Sequence, residues 1–279
     1  MAANASAAKN QYTTGEHTYT LRYKGGERTF VLYLPENIRH DAPLVLVLHG
    51  YGATVSPDKY PFRHVADKEG FAVCYPQGEK DGRGKPCWNV GYPFQEDLKR
   101  DDTAFLVFLA RHLQKNCNLS RANTFVTGMS NGGEMCYQLA FQRPDVFAAV
   151  APVSGLTMEW LYRTGKPKRA VPLMEIHGTE DRTSEFGGDV QNAGGWGEYV
   201  AVPVAVGLWV AENRCTHEIR EHRDPITDTG HRIIIHRYTG SPEGKDVVLY
   251  EIVGGGHSWA ARDIDTAQEI WNFFKHYLE

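Results

Sequence analysis

Thr124-Phe125-Val126-Thr127-Gly128-Met129-Ser130-Asn131-Gly132-Gly133 is the stretch whose reading decides the fold. An apolar, β-branched run leads into Gly128-Met129-Ser130-Asn131-Gly132, and a helical segment to Gln142 follows at once. A G-x-S-x-G pentapeptide is common by chance, and it becomes informative only between a strand and a helix, which is the context here. The spacing has a physical cause. A serine on so sharp a turn has a strained backbone, and a side chain at either flanking glycine would strike neighbouring backbone. The turn lifts the Ser130 hydroxyl above a sheet and sets it at the positive end of the next helix, where developing negative charge is favoured.

Outward from that turn the chain alternates strands and helices. Thr18 to Leu34, around Gly25-Gly26, reads as an antiparallel hairpin closed by Pro35. Pro43 to Leu48 is a continuous apolar run ending in His49-Gly50, as suits a strand buried on both faces. Strands follow at Phe71 to Pro76, Thr124 to Thr127, Phe147 to Val153, Leu173 to His177 and Asp246 to Val253. Helices are expected from an Asp102 N-cap to Asn116, over Asn131 to Gln142, over Val204 to Glu212, and from Asp265 to Tyr277. This rhythm predicts an α/β fold, a doubly wound and mostly parallel sheet preceded by the antiparallel hairpin. Two stretches break it: Trp88 to Arg100, and the glycine-rich Glu185 to Tyr199 carrying Trp196, both placed to overhang a site. No internal repeat is present. The expected organisation is a flexible segment over residues 1–14 and one catalytic domain over 15–279.

Composition excludes other classes. Of 279 residues, 42% are hydrophobic and 23% charged, which fits a globular chain and neither a disordered nor a collagenous one. Thirty Lys and Arg against 34 Asp and Glu leave a net charge of −4 with no basic cluster, so neither nucleic acid nor an anionic membrane is expected as partner. The longest apolar stretch, Val200 to Ala211, contains Pro203 and falls well short of the roughly 20 residues that span a bilayer. Residues 1–6 lack the features of a secretion leader, and the terminal Leu278-Glu279 resembles a vector-derived tail. A trimmed chain, secreted or periplasmic in origin, is the expectation. Five cysteines without a C-x-x-C pair leave one thiol unpaired and allow one or two disulfides of unspecified connectivity.

A serine hydroxyl needs a base, and the base an orienting acid. In this strand–turn–serine arrangement the chain order is serine, acid, histidine. The strand from Leu173 ends in His177-Gly178-Thr179-Glu180-Asp181, which offers Asp181 as acid, with Glu180 the alternative. The last strand ends in Gly254-Gly255-Gly256-His257, which offers His257 as base. Three glycines before a histidine imply backbone passing close to something. The oxyanion requires two donors; Asn131 N–H is the first and Tyr51 N–H, on the loop after His49-Gly50, the second. Metal chemistry finds no support: His217 and His222 stand five apart, which on a helix turns them about 140° from each other and in a strand puts them on opposite faces. Neither a P-loop nor a dinucleotide fingerprint occurs, so no cofactor is expected.

In order along the chain stand Leu48-His49-Gly50-Tyr51-Gly52, the elbow Gly128 to Gly133, Ala149 to Gly155, His177-Gly178-Thr179-Glu180-Asp181, and Gly255-Gly256-His257-Ser258-Trp259. Together they resemble the polyhydroxybutyrate-depolymerase-like esterases, which include the feruloyl and acetylxylan esterases of carbohydrate esterase family 1. The resemblance covers roughly residues 30 to 277. It implies an α/β-hydrolase fold with Ser130 as nucleophile, His257 as base and Asp181 as acid. It also implies that Trp88 and Trp259 line the substrate pocket, to which Trp196 is added from its loop. The chain departs from the pattern at Tyr51, where a cysteine is often found, at Ala260, where a proline often stands, and at Cys215, whose usual partner is missing. The expected activity is serine carboxylic-ester hydrolysis, a feruloyl esterase before an acetylxylan esterase or a polyester depolymerase. The reading from another class is a non-catalytic carbohydrate-binding relative.

Overall fold

The computed structural model describes residues 12–279. Ten strands form one sheet: β1 (Gly15–Tyr23), β2 (Gly26–Leu34), β3 (Ala42–Leu48), β4 (Ala72–Pro76), β5 (Leu119–Met129), β6 (Ala149–Val153), β7 (Leu173–Gly178), β8 (His217–Arg223), β9 (Arg232–Thr239) and β10 (Val247–Val253). Their order is β1-β2-β4-β3-β5-β6-β7-β10-β9-β8. From β4 to β10 neighbours are parallel, while the β1–β2 hairpin at one end and β9–β8 at the other are antiparallel. Six helices pack on it: α1 (Arg63–Glu69), α2 (Asp102–Asn116), α3 (Asn131–Gln142), α4 (Glu159–Thr164), α5 (Val202–Glu212) and α6 (Thr266–Phe274). This is the α/β-hydrolase fold.

Two apolar cores sit on the two faces of the sheet, and β3 shows why its run is unbroken. Leu44, Leu46 and Leu48 enter one core, while Val45 and Val47 enter the other. In the β8–β9 hairpin, strand β8 is exposed almost throughout because it is an edge. The short helices α1 and α4 escaped periodicity because neither completes the repeats that reveal a stripe.

Three local expectations are corrected. Asp101, not Asp102, caps α2, accepting from Ala104 N at 2.8 Å. Asp102 is instead buried, bonded to Arg100 Nε at 2.9 Å and Asn89 N at 2.8 Å and facing Arg28 at 3.4 Å, which ties the 88–100 loop to β2 and α2. The hairpin turn falls at Lys24-Gly25, both with positive φ, since Tyr23 pairs with Gly26. All five cysteines are free thiols. Of the segment read as flexible, residues 1–11 lie outside the described residues; Tyr12 is buried, its hydroxyl 2.7 Å from His112 Nε2. Among the described residues no helix is long and apolar enough to cross a membrane.

Candidate active site

Tyr51, Ser130, Asp181 and His257 stand just past the C-terminal ends of parallel strands β3, β5, β7 and β10, the edge at which open α/β sheets hold ligands. Ser130 follows β5 with φ 56° and ψ −125°, a left-handed backbone that a side chain adopts only under constraint. Gly128 and Gly132 supply the constraint. A Cβ on Gly128 would lie 2.7 Å from the Gly132 carbonyl, and one on Gly132 only 2.3 Å from Leu48 O. The elbow is therefore wedged against the end of β3, and Ser130 N donates to Val153 O at 2.9 Å.

The acid and base loops are laced together. Glu180 N donates to Gly255 O at 2.9 Å, and Gly254 N to Thr179 Oγ1 at 2.9 Å. The glycine run is explained in part: Gly178 meets the Gly255 carbonyl so closely that a Cβ would sit 2.2 Å away, whereas Gly256 faces open space. Across this junction His257 Nδ1 lies 2.7 Å from Asp181 Oδ2. The other Asp181 oxygen accepts from Thr183 N and Ser184 N, each at 2.8 Å. Burial works to raise this carboxyl, but the His257 bond and the two backbone N–H bonds outweigh it and hold it below the usual carboxylate range. Asp181, and not Glu180, meets the histidine.

Behind Asp181 lies a pair that the sequence reading missed. His177 Nδ1 is 2.8 Å from Glu175 Oε1 and its Nε2 2.8 Å from Ser184 O, all fully buried. Burial opposes a charged ring here, but the bond to Glu175 and its charge outweigh it, and the His177 pKa is raised. The His177 Nε2 also lies 3.6 Å from Asp181 Oδ2. A glutamate inside a strand buried on both faces was the available signal.

On the other side of Ser130, Tyr51 N–H and Asn131 N–H, the latter at the first turn of α3, take no backbone acceptor among the described residues. The Asn131 side chain clamps the main chain of Trp88, accepting from its N at 2.7 Å and donating to its O at 3.1 Å. His49 is buried and its pKa falls to about 4 through desolvation; Nε2 accepts from Gly78 N at 2.9 Å. It is a neutral strut for the loop carrying Tyr51.

Ser130 and His257 line one cavity of about 240 Å³, together with Tyr51, Tyr92, Glu134, Thr183, Ser184 and Trp196. Among the described residues no hydrogen bond joins Ser130 Oγ to the His257 ring; such contacts often tighten only when substrate is bound. Tyr51, Tyr92 and Trp196 pack with ring centroids 5.4–6.3 Å apart, joining the two irregular loops over the site. The Tyr51 hydroxyl is tied to Asp81 at 2.7 Å. Of the three tryptophans expected in the pocket, the structure brings Trp196 to its wall. Trp88 is wholly buried and donates to His49 O at 2.9 Å, and Trp259 packs against Tyr60 and Phe62. Both are drawn away because a large ring gains more from complete burial than from a cavity wall.

The fold is that of the α/β hydrolases, with a serine, a histidine and an aspartate gathered at one edge of its sheet. The chain belongs to the Esterase PHB depolymerase family, whose model matches residues 28–184, more than half of its length. It is 27% identical over 261 residues to a bifunctional acetylxylan esterase/xylanase of Neocallimastix patriciarum, covering 92% of this chain and 34% of that protein. It is 27% identical over 124 residues to poly(3-hydroxyalkanoate) depolymerase C of Paucimonas lemoignei, covering 44% of this chain and 30% of that protein. The chain thus spans about a third of the length of these two relatives. In fold it matches an acetyl xylan esterase from Aspergillus awamori, with a TM-score of 0.64, 16% identity, and coverage of 94% of this chain and 100% of that one.

Proposed function

We propose that the chain is a Ser-His-Asp carboxylic-ester hydrolase acting on acyl groups carried by plant cell-wall polysaccharide. The observation that carries this reading is the shared cavity: Ser130 and His257 open onto it, and Asp181 braces His257 at 2.7 Å. Ser130 attacks the ester carbonyl while His257 takes its proton and then delivers it to the departing sugar alkoxide. Asp181 fixes the ring with its proton on Nδ1 and stabilises the imidazolium. The oxyanion lies between the N–H groups of Tyr51 and Asn131. Water, deprotonated by His257, then frees the acid. Wall esters lie outside the cell, so an exported enzyme is part of the reading.

The aromatic walls of Tyr51, Tyr92 and Trp196 favour a hydroxycinnamoyl group, as in a feruloyl esterase. The names of the relatives favour an acetyl group on xylan. Initial rates on methyl ferulate and on an acetylated xylo-oligosaccharide separate the two. Ferulate release well above acetate release is expected; the reverse order moves the enzyme to the acetylxylan esterases. If only short aliphatic esters react, the plant-wall assignment falls.

The acid role has its own test. Asp181→Asn keeps the shape but presents an amide N–H towards Nδ1, which favours the tautomer unable to take the serine proton. Its kcat is expected to fall by about 10³- to 10⁴-fold with little change in KM. A loss below tenfold in steady-state assays would remove Asp181 from the triad.

A further inference from the structure

Glu134 is the one charged residue on α3, four positions after Ser130 and therefore one turn further along the same helix face. It is 3% exposed and yet lines the cavity that Ser130 opens onto. Its Oε2 accepts from the Tyr92 hydroxyl. Burying a carboxyl costs stability, and Met135, Cys136 and Leu139 show what α3 uses where only packing is needed. Ester cleavage at Ser130 gives Glu134 no task, since a negative group near the oxyanion would oppose the transition state. A ligand that donates to it accounts for its presence.

What enters this cavity is the acyl group. A polysaccharide chain cannot be enclosed in about 240 Å³, so the alcohol side of the ester stays at the mouth. We propose that Glu134, held by Tyr92, is the specificity-determining residue for a hydroxyl group on the acyl part of the substrate, Oε1 accepting the hydroxyl proton while Tyr51 and Trp196 flank the apolar remainder. The inference rests on Ser130 being the nucleophile. Desolvation pushes the Glu134 carboxyl up to about 7, opposed by bonds from Tyr92 and Asn131 and by His177 and reinforced by Glu175; both the acid and the carboxylate accept a hydrogen bond.

Two pairs of esters that differ only in whether the hydroxyl is free or methylated test this: methyl ferulate against methyl 3,4-dimethoxycinnamate, and ethyl 3-hydroxybutyrate against ethyl 3-methoxybutyrate. The wild-type protein is expected to favour the free hydroxyl in kcat/KM by about tenfold or more in at least one pair, because a site built to pair a hydroxyl rejects the analogue lacking it. In Glu134→Leu that ratio should fall to about one, and in Glu134→Gln, which keeps an acceptor, to an intermediate value. No preference in the wild-type protein overturns the proposal whether or not the variants fold, as does a ratio that Glu134→Leu leaves unchanged. If 4-nitrophenyl acetate is cleaved and neither pair is, the hydroxyl site is wrong and the nucleophile stands. If Ser130→Ala still cleaves 4-nitrophenyl acetate, the nucleophile assignment itself is lost.

Discussion

Ser130→Ala is expected to lower ester hydrolysis by about 10⁴- to 10⁶-fold, leaving only what oxyanion donors and binding contribute. The prediction is large because the other parts of the site act through this one oxygen: His257 has no proton to take without it, and the donors at Tyr51 and Asn131 have no tetrahedral intermediate to stabilise. Circular dichroism and the melting temperature should be close to wild type, because alanine retains the Cβ and with it the φ of 56°. Ser130→Gly should be equally inactive but melt higher, since glycine relieves a strain of about 1–3 kcal/mol at this backbone. Activity above a few per cent in Ser130→Ala, in a preparation free of other esterases, would move the nucleophile elsewhere and reopen the carbohydrate-binding reading. A melting temperature for Ser130→Gly below that of Ser130→Ala would mean that the elbow stores no strain.

Gly132→Ala is expected to be one of the most damaging single methyl groups in the fold. It would place a Cβ 2.3 Å from Leu48 O, in the last residue that the parallel ladder pairs with β5, and 2.8 Å from His49 O just beyond it. Neither can retreat without breaking pairing between β3 and β5, so the cost should reach about 3 kcal/mol or more. At about 2–4 °C per kcal/mol for a chain of this size, the melting temperature should drop by roughly 10 °C. The movement would also shift Tyr51 N–H, so kcat should fall beyond what partial unfolding explains. Gly207→Ala is the control: a Cβ there meets nothing within 4 Å, and α5 should gain slightly in helix propensity. Equal melting temperatures for the two variants would overturn the account of the elbow.

The parts of the molecule that could be read from sequence share a physical property: they are local. The run Pro43 to Leu48, the strand and helix on either side of Ser130, and the ends of β7 and β10 each carry their signal within a few residues. Helix α3 begins and ends where its sequence reads as a helix, because the turn that starts it is covalently next to it. Parallel order and the hydrolase fold follow from that alternation under the handedness of β-α-β crossovers. Asp181 and His257 could be proposed because the chain order of such sites is fixed by the fold, and the structure places their side chains 2.7 Å apart.

What escaped is what distant segments decide jointly. That Trp196 reaches the cavity while Trp88 is sealed beneath it depends on which loop lies outermost, and no local spacing encodes depth. Asp101 rather than Asp102 became the cap of α2 because Arg28 and Arg100, far apart in the chain, claim Asp102. Glu134, Glu175 and His177 were present as ordinary letters; only packing makes them buried, gives His177 two acceptors and turns Glu134 towards Ser130. The sequence by itself determined the alternation of elements and the chemical groups at the sheet edge, since both are set by short-range periodicity and turn sterics. Only the tertiary structure decided how deep each group lies and which neighbours it meets, because desolvation and hydrogen bonding are properties of a three-dimensional environment assembled from the whole chain.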